Sequence, residues 1–285
     1  MMSAATDAGG VASAGHLSAL RAEVRRLADG LAEAAERVAA LETEVRGLRM
    51  QVDGSGPRFG ALYADFTDRF RGSTPEVTEK LAGYLADVRR LVTGAGAGVV
   101  DLGSGRAEWL ALLQNAGVPA AGVDANLTFV EAARARGLDV VYGDAVTHLQ
   151  GLPPGSFDMV TAFHLIEHLD VERVLALLSA ARQALRPGGC VLVETPNPTN
   201  LRMAACDFYN DPTHRSPMPP ALTEYLVAAS GFKDVEVRPL HPNTSPFEAD
   251  DESASGQVEQ LVAGALYGPQ DYAVLGYTPR SADRA

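Results

Sequence analysis

From residue 17 the apolar positions recur alternately three and four residues apart: Leu17, Leu20, Val24, Leu27, Leu31, Ala34, Val38, Leu41, Val45, Leu48 and Val52. A seam held for about five heptads predicts a coiled-coil helix over residues 16–53. Val recurs at the first seam position and Leu at the second, with Leu17, Leu31 and Ala34 as exceptions. That mix favours two parallel strands. Arg37 would face Glu42 of a second copy, and Glu44 its Arg49, both attractive pairs, so a homodimer is expected. The alternative is a single amphipathic helix lying on its own domain. Gly30 is the weak point, costing about 1 kcal/mol against Ala. Residues 1–15, rich in Ala, Gly and Ser, are expected to be disordered.

Gly54, Ser55, Gly56 and Pro57 end the seam. Residues 57–95 then read as two helices. The first, Arg58 to Arg71, carries an aromatic face of Phe59, Tyr63, Phe66 and Phe70. The second, Pro75 to Leu91, starts with Pro in its first position behind a capping Thr74. From residue 96 to 280 apolar strands alternate with helical stretches. Strands are expected at Gly98–Leu102, Ala120–Val123, Asp139–Tyr142, Asp158–Phe163, Val191–Thr195, Asp234–Leu240 and Tyr272–Tyr277. Helices are expected at Ala107–Ala116, Leu127–Arg136, Val171–Leu185 and Pro220–Ala229. This alternation predicts an α/β domain, a seven-stranded and mostly parallel sheet with helices on both faces. The acidic stretch at about 243–256 reads as a mobile surface loop.

Composition narrows the partners. The 285 residues carry a net charge of -12, which repels phosphate backbones and anionic lipid. Nucleic acid is therefore disfavoured. No apolar stretch approaches the roughly 20 residues that span a bilayer, and the N-terminus lacks a signal-peptide layout, so a cytoplasmic protein is expected. The two cysteines, Cys190 and Cys206, make neither a disulfide framework nor a metal pair. Cys190 lies in an apolar run and reads as a buried thiol.

The densest chemistry begins at "GVVDLGSGRAEWLALL", Gly98 to Leu113. A strand ends in Asp101, and Gly103-Ser104-Gly105 turns tightly into a helix, so a backbone must approach a ligand there. Glu108 stands where a dinucleotide fingerprint needs its third glycine, which argues against a pyrophosphate. Asp124 in "GVDAN" ends the second strand, placed to accept from two ribose hydroxyls, with Ala125 beside it. Asp144, after the third strand, is placed to accept from an adenine amino group, and Ala145 offers its amide. The fourth strand ends at Phe163. Four strand ends at one sheet edge make one crevice.

Residues 60–280 resemble class I S-adenosylmethionine (SAM) dependent methyltransferases of Rossmann-like fold. The segments "LYADFTDRFRGS", "TAFHLIEHL", "LRPGGCVLVETPNPTNL", "FYNDPTHRSPMPP" and "LYGPQDYAVLGY" resemble, more narrowly, bacterial polysaccharide methyltransferases of the O-antigen chain-terminating and methylmannose types. The resemblance implies SAM as cofactor, held by Asp101, Gly103, Gly105, Asp124, Ala125, Asp144, Ala145 and Phe163. It further implies that Tyr63, Arg69 and Arg71, on the aromatic helix, close over SAM. The implied acceptor is a sugar hydroxyl of an oligo- or polysaccharide, mannosides included. The rivals are a small-molecule acceptor (a quinone or phenol) and a non-catalytic SAM-binding scaffold.

After the fourth strand come His164, Glu167 and His168, which would share one face of a helical turn. His214, on the Pro-bounded "DPTHRSP" loop, could join them, and Glu194 is a further candidate. Three readings stand side by side. The set His164, Glu167, His168 and His214 could hold a divalent metal, Mg, Mn or Zn. A His could act as general base without metal, His168 or His164 in particular. Or the residues could cap the helix and shape the pocket. The resemblance adds that a Glu-x-x-Glu-His pattern binds metal in some small-RNA and ubiquinone methyltransferases, with His164 here in place of the first Glu. A sugar hydroxyl must lose its proton as it attacks the sulfonium methyl; a positioned base contributes about 10²–10⁴-fold, and a metal lowers the hydroxyl's pKa. Tyr209, Asp211 and Arg215 are the candidate acceptor contacts, Tyr209 as a sugar-stacking ring. Trp109 reads as core or pocket wall, and His16, His148 and His241 as isolated, surface or satisfied histidines.

Overall fold

The computed structural model describes residues 24–28, 30, 32, 37, 57–92, 98–247 and 253–280. The chain divides into two units, residues 1–59 and 60–285. In the first unit the described residues between 24 and 37 are helical and exposed, including Val24 and Leu27. The rest of the heptad seam and residues 1–15 lie outside the described residues. No helix among the described residues is long and apolar enough to cross a membrane.

In the second unit a seven-stranded sheet runs in the order β3-β2-β1-β4-β5-β7-β6. The strands are β1 (Val99–Leu102), β2 (Ala120–Asp124), β3 (Val140–Tyr142), β4 (Phe157–Phe163), β5 (Leu185–Pro196), β6 (Lys233–Pro242) and β7 (Pro269–Tyr277). The first five pair in parallel, and β7 runs against both its neighbours. The sheet is therefore mixed, as a mostly parallel reading requires. Period-two alternation splits its side chains between two core layers. Val100, Leu102, Val160, Ala162, Val191, Val193, Tyr272 and Val274 pack into one. Val99, Met159, Phe163, Cys190, Leu192, Ala273 and Leu275 pack into the other.

Helices α1 (Pro57–Phe70), α2 (Thr74–Ala82), α3 (Leu85–Leu91), α4 (Glu108–Asn115), α5 (Leu127–Ala135), α6 (Ala145–Gln150), α7 (Val171–Ala184), α8 (Leu201–Ala205), α9 (Pro220–Ala229) and α10 (Ala254–Tyr267) complete the described fold. The first layer is closed by α6, α7 and α9 through Leu149, Leu177 and Val227. The second is closed by α2, α3 and α4 through Leu81, Val88 and Leu113. Cys190 is buried in that second layer and Cys206 is exposed, both as free thiols.

Several boundaries differ from the pattern. The single helix expected over Pro75–Leu91 is broken at Gly83 and Tyr84 into α2 and α3. The break lets Tyr84 turn inward, where it is 4% exposed. The cap is Ser73, not Thr74: its hydroxyl accepts from the Glu76 amide while Glu76 reaches back to the Ser73 amide. Helices α6 and α8, of 6 and 5 residues, are too short to show a helical period. The loop expected at 243–256 gives way at Ser253, whose hydroxyl accepts from the Gly256 amide and caps α10.

Candidate active site

The strand order reverses between β1 and β4, and a crevice opens outside their carboxyl ends. At the end of β1, Gly103 and Gly105 take φ of 65° and 51°, the left-handed region that glycine occupies without a Cβ penalty. A Cβ at Gly105 would stand 3.7 Å from the Arg71 guanidinium, so α1's end faces the glycine turn. Asp101 is buried and accepts from the Thr161 hydroxyl at 2.7 Å. Burial pushes its pKa up to about 7, against the lowering by Thr161 and Arg71. Asp124, also buried, accepts from the Gly105 amide at 2.7 Å and the Asn126 amide at 2.7 Å. Burial raises its pKa. Each of its oxygens keeps a second lone pair for a ligand.

The remaining expected cofactor residues divide. Ala125 is exposed beside this pair, and Ala145 opens α6. Asp144 caps α6, accepting from the Thr147 amide at 2.9 Å, and its other oxygen pairs with Arg173. Its carboxylate is thus already engaged by protein donors. Phe163 ends β4 at the crevice edge. Its ring is 4% exposed and packs on Tyr84 and Trp109, inside the second core layer. Arg69 is exposed and lies over the Phe70 ring at 5.7 Å, so of the two arginines only Arg71 reaches the glycine turn. Tyr63 donates to Asp211 Oδ2 at 2.8 Å and meets the Phe129 ring edge-on.

The expected single helical face of His164, Glu167 and His168 does not form. His164 sits in the left-handed region, φ 52°, before a 3₁₀ turn that spans Ile166–His168. The set therefore separates into two groups. Glu167, His168 and His214 offer ligand atoms within 4.8 Å of one another; His164, Glu194 and Asp271 do the same.

In the first group the outer hydrogen bonds decide which atoms are free. His214 Nδ1 donates to the Phe208 carbonyl at 2.6 Å, which leaves Nε2 bare. Thr213 spends its only hydroxyl proton on Asp211 Oδ1 at 2.6 Å, so it accepts from His168 Nδ1 at 2.9 Å. His168 Nε2 is then bare too. Glu167 Oε2 accepts from the Thr195 hydroxyl at 2.9 Å. Its Oε1 is buried without a hydrogen-bond partner, 3.9 Å from His214 Nε2 and 3.4 Å from His164 Nδ1. Burial would raise the Glu167 pKa, but His164 and His168 hold it down to about 2. Burial lowers that of His214, against the pull of Glu167. An ionised carboxylate and two imidazoles with bare nitrogens face one another.

The second group is a closed ion network. His164 Nε2 lies 3.4 Å from Glu194 Oε1 and 3.9 Å from Asp271 Oδ1. Tyr84 donates to the other oxygen of Glu194, and His241 Nδ1 meets the other oxygen of Asp271 at 3.0 Å. Burial would lower the His164 pKa, yet Glu167, Glu194 and Asp271 together push it up to about 10. His164 is therefore an imidazolium at neutral pH, with no lone pair to take a proton. His241 is a satisfied histidine rather than an isolated one. It also walls a cleft of about 720 Å³ that Arg71 and Lys80 share.

Two of the expected acceptor contacts are placed differently. Asp211 uses both oxygens internally, on Tyr63 and Thr213, and is a strut of the His168 site. Arg215 donates its amide to the Glu167 carbonyl at 2.9 Å while its guanidinium points out towards Asp170, 3.8 Å away. Tyr209 is 66% exposed with its ring edge-on to Phe208, open to a ligand. Trp109 is core. The pattern missed Thr213, Thr195, Asp271 and Tyr84. Thr213 had a signal, the Asx-type spacing after Asp211; Asp271 had none.

A family model described as a methyltransferase domain matches residues 75–237. Over 114 residues the chain is 33% identical to the ubiquinone biosynthesis O-methyltransferase of Xanthomonas campestris pv. campestris. That match covers 38% of this chain and 47% of the relative, so the chain spans about half the length of the curated relatives it matches. Among solved structures, a SAM dependent methyltransferase from Archaeoglobus fulgidus superposes with a TM-score of 0.67 at 31% identity, over 76% of this chain and 99% of that one. Phosphoethanolamine N-methyltransferase 2 of Haemonchus contortus, in complex with SAM, shares the fold at a TM-score of 0.51 and 19% identity, over 76% and 60% of the two chains. With the glycine turn, the strand-end carboxylates and the reversed strand order already in place, the chain belongs to the methyltransferase-domain family and is a SAM-dependent methyltransferase.

Proposed function

We propose that the chain methylates a hydroxyl oxygen, that of a sugar in an oligo- or polysaccharide, with a divalent cation held by Glu167, His168 and His214. The observation that carries the reading is the convergence of three lone-pair-bearing atoms beside the SAM crevice, one of them the buried Glu167 Oε1, which the His164 imidazole faces from 3.4 Å. Two imidazoles and a carboxylate, each oriented by an outer hydrogen bond, suit Zn or Mn better than Mg. SAM lies along the carboxyl ends of β1 and β2, its amino acid end at Gly103 and Gly105 and its ribose on Asp124. Arg71 closes from α1. Phe208 and Thr213 fix the imidazole tautomers, and Thr195 fixes the carboxylate. A cation bound there supplies positive charge that makes an acceptor hydroxyl more acidic. The protein's own share is orientation: the acceptor oxygen must meet the methyl in line. The polysaccharide acceptor is supported by the resemblance of the 197–217 segment and by the exposed Tyr209 ring.

A second reading has its own support. The relative from Xanthomonas campestris is named for ubiquinone biosynthesis, which favours a small-molecule acceptor. Where no cation is used, proton acceptance falls to the bare Nε2 of His168 or His214, because His164 is charged. The heptad seam supports a homodimer through residues 16–53, and two linked sites would suit a long acceptor.

The test is methyl transfer from labelled SAM to oligosaccharides, mannosides and glucosides included, and to phenols and quinols, with and without EDTA. Transfer to a glycan that EDTA abolishes and Mn²⁺ restores is expected. Transfer to phenols alone would move the acceptor to the small-molecule class; transfer indifferent to EDTA would remove the cation.

A further inference from the structure

Helix α1 touches both halves of the site. At one end, the Asn126 side chain donates to the Gly60 carbonyl at 3.0 Å, and the Asn126 amide donates to Asp124. At the other end Arg71 faces Gly105. These contacts tie α1 to the strand ends that receive SAM. Between them, Tyr63 donates to Asp211 Oδ2, Asp211 Oδ1 accepts from the Thr213 hydroxyl at 2.6 Å and the Thr213 amide at 2.8 Å, and Thr213 accepts from His168 Nδ1. The donors all run towards Asp211. One directed chain thus joins the helix over the cofactor crevice to the tautomer of a cation-facing imidazole. Each of these links is part-buried, and the Asp211 side chain at their centre is 11% exposed.

We propose that Tyr63, Asp211 and Thr213 are positioning residues that couple the seating of α1 over SAM to the setting of His168 for a divalent cation, so that SAM and the cation bind with positive cooperativity. This rests on the cation reading given above. When α1 seats, Tyr63 fixes one oxygen of Asp211 and thereby orients the other. Thr213 then has one acceptor for its proton and turns its lone pair to His168. His168 must carry its proton on Nδ1 and present Nε2. By linkage the effect is reciprocal: a cation that selects this tautomer favours the seated α1.

The experiment is equilibrium dialysis of labelled SAM against the full chain, with and without Mn²⁺, and Mn²⁺ titration with and without SAM. Wild type is expected to show a mutual tightening of about 5-fold or more. Thr213→Val keeps the shape and removes the hydroxyl, and Tyr63→Phe removes the first donor. In both, the ratio should fall towards one, whatever happens to either affinity alone. Thr213→Ser restores the hydroxyl and should restore the coupling, which a merely structural role would not demand. Coupling that survives in both Thr213→Val and Tyr63→Phe overturns the proposal. Wild type that binds SAM and Mn²⁺ independently overturns it while leaving the cation site intact. Wild type that binds SAM but no Mn²⁺ overturns the proposal and the cation reading together.

Discussion

Replacing Asp124 by asparagine separates the carboxylate's two duties, holding the glycine turn and receiving a ribose. In the protein its oxygens accept from the Gly105 and Asn126 amides, both at 2.7 Å, and the side chain is buried. An amide side chain offers one acceptor and one donor, so one of those two backbone N–H groups would face an N–H. Leaving a buried donor unsatisfied costs about 1–3 kcal/mol. For a protein of this size each kcal/mol moves Tm by about 2–4 °C. The ligand term is separate. A hydrogen bond from a ribose hydroxyl to a carboxylate is worth about 1.5–3 kcal/mol, roughly 10- to 150-fold in affinity. Displacement of the Gly105 turn, which Asp124 holds, would add to it. The expected outcome is a Tm lowered by several degrees together with at least about a tenfold loss of SAM affinity, the latter measured by isothermal titration well below the transition. An Asp124→Asn variant that melts lower but binds SAM as wild type does would show that Asp124 holds the turn and does not receive the cofactor. Binding lost with Tm unchanged would refute the orphaned-donor argument.

The other expectations concern the acidic and imidazole groups and the seam. His214→Ala should abolish rescue by Mn²⁺ of an EDTA-stripped preparation while SAM binding persists; rescue that survives would remove His214 from the cation site. Cation affinity should fall with acid as the imidazoles protonate. Burial lowers the His214 pKa, so its own contribution is lost only below the ordinary imidazole value, and a Mn²⁺ titration across pH 5–8 checks this. His164→Gln removes the imidazolium from three buried carboxylates and should destabilise the protein by about 3–5 kcal/mol, read by urea unfolding at pH 7. The sign follows from a raised pKa: this stabilisation is full below the ordinary histidine value and is lost as pH rises through about 10, so wild type and variant should converge in alkali. Deleting residues 1–53 should convert a dimer to a monomer in sedimentation; an unchanged dimer would place the interface elsewhere.

The legible parts of this molecule were those whose physics is local. Helix α9 begins and ends at Pro220 and Ala229 as read, because Pro pre-sets its first turn. Strands β1, β4 and the second half of β5 announced themselves as apolar runs buried on both faces. Helix α3 was not separable from α2, since Gly83 sits in helical φ and ψ and only the inward pull of Tyr84 towards Glu194 shows the break. The strand ends that carry Asp101 and Asp124 were legible because glycine spacing fixes them. The division of the histidines was not. It depends on a left-handed His164 and on β7, where the antiparallel register puts Asp271 opposite Pro196, two residues from Glu194 and far along the chain. Asp211 was expected as an acceptor contact; the spacing makes its bond with Thr213 legible, whereas Tyr63, far along the chain, is visible as its partner only in space.

The cation site is the claim on which the chemistry turns, and anomalous diffraction from crystals grown with Mn²⁺ tests it most directly. One strong peak is expected among the Glu167, His168 and His214 side chains. A peak at His164, Glu194 and Asp271 instead, or none at either group, would contradict the account.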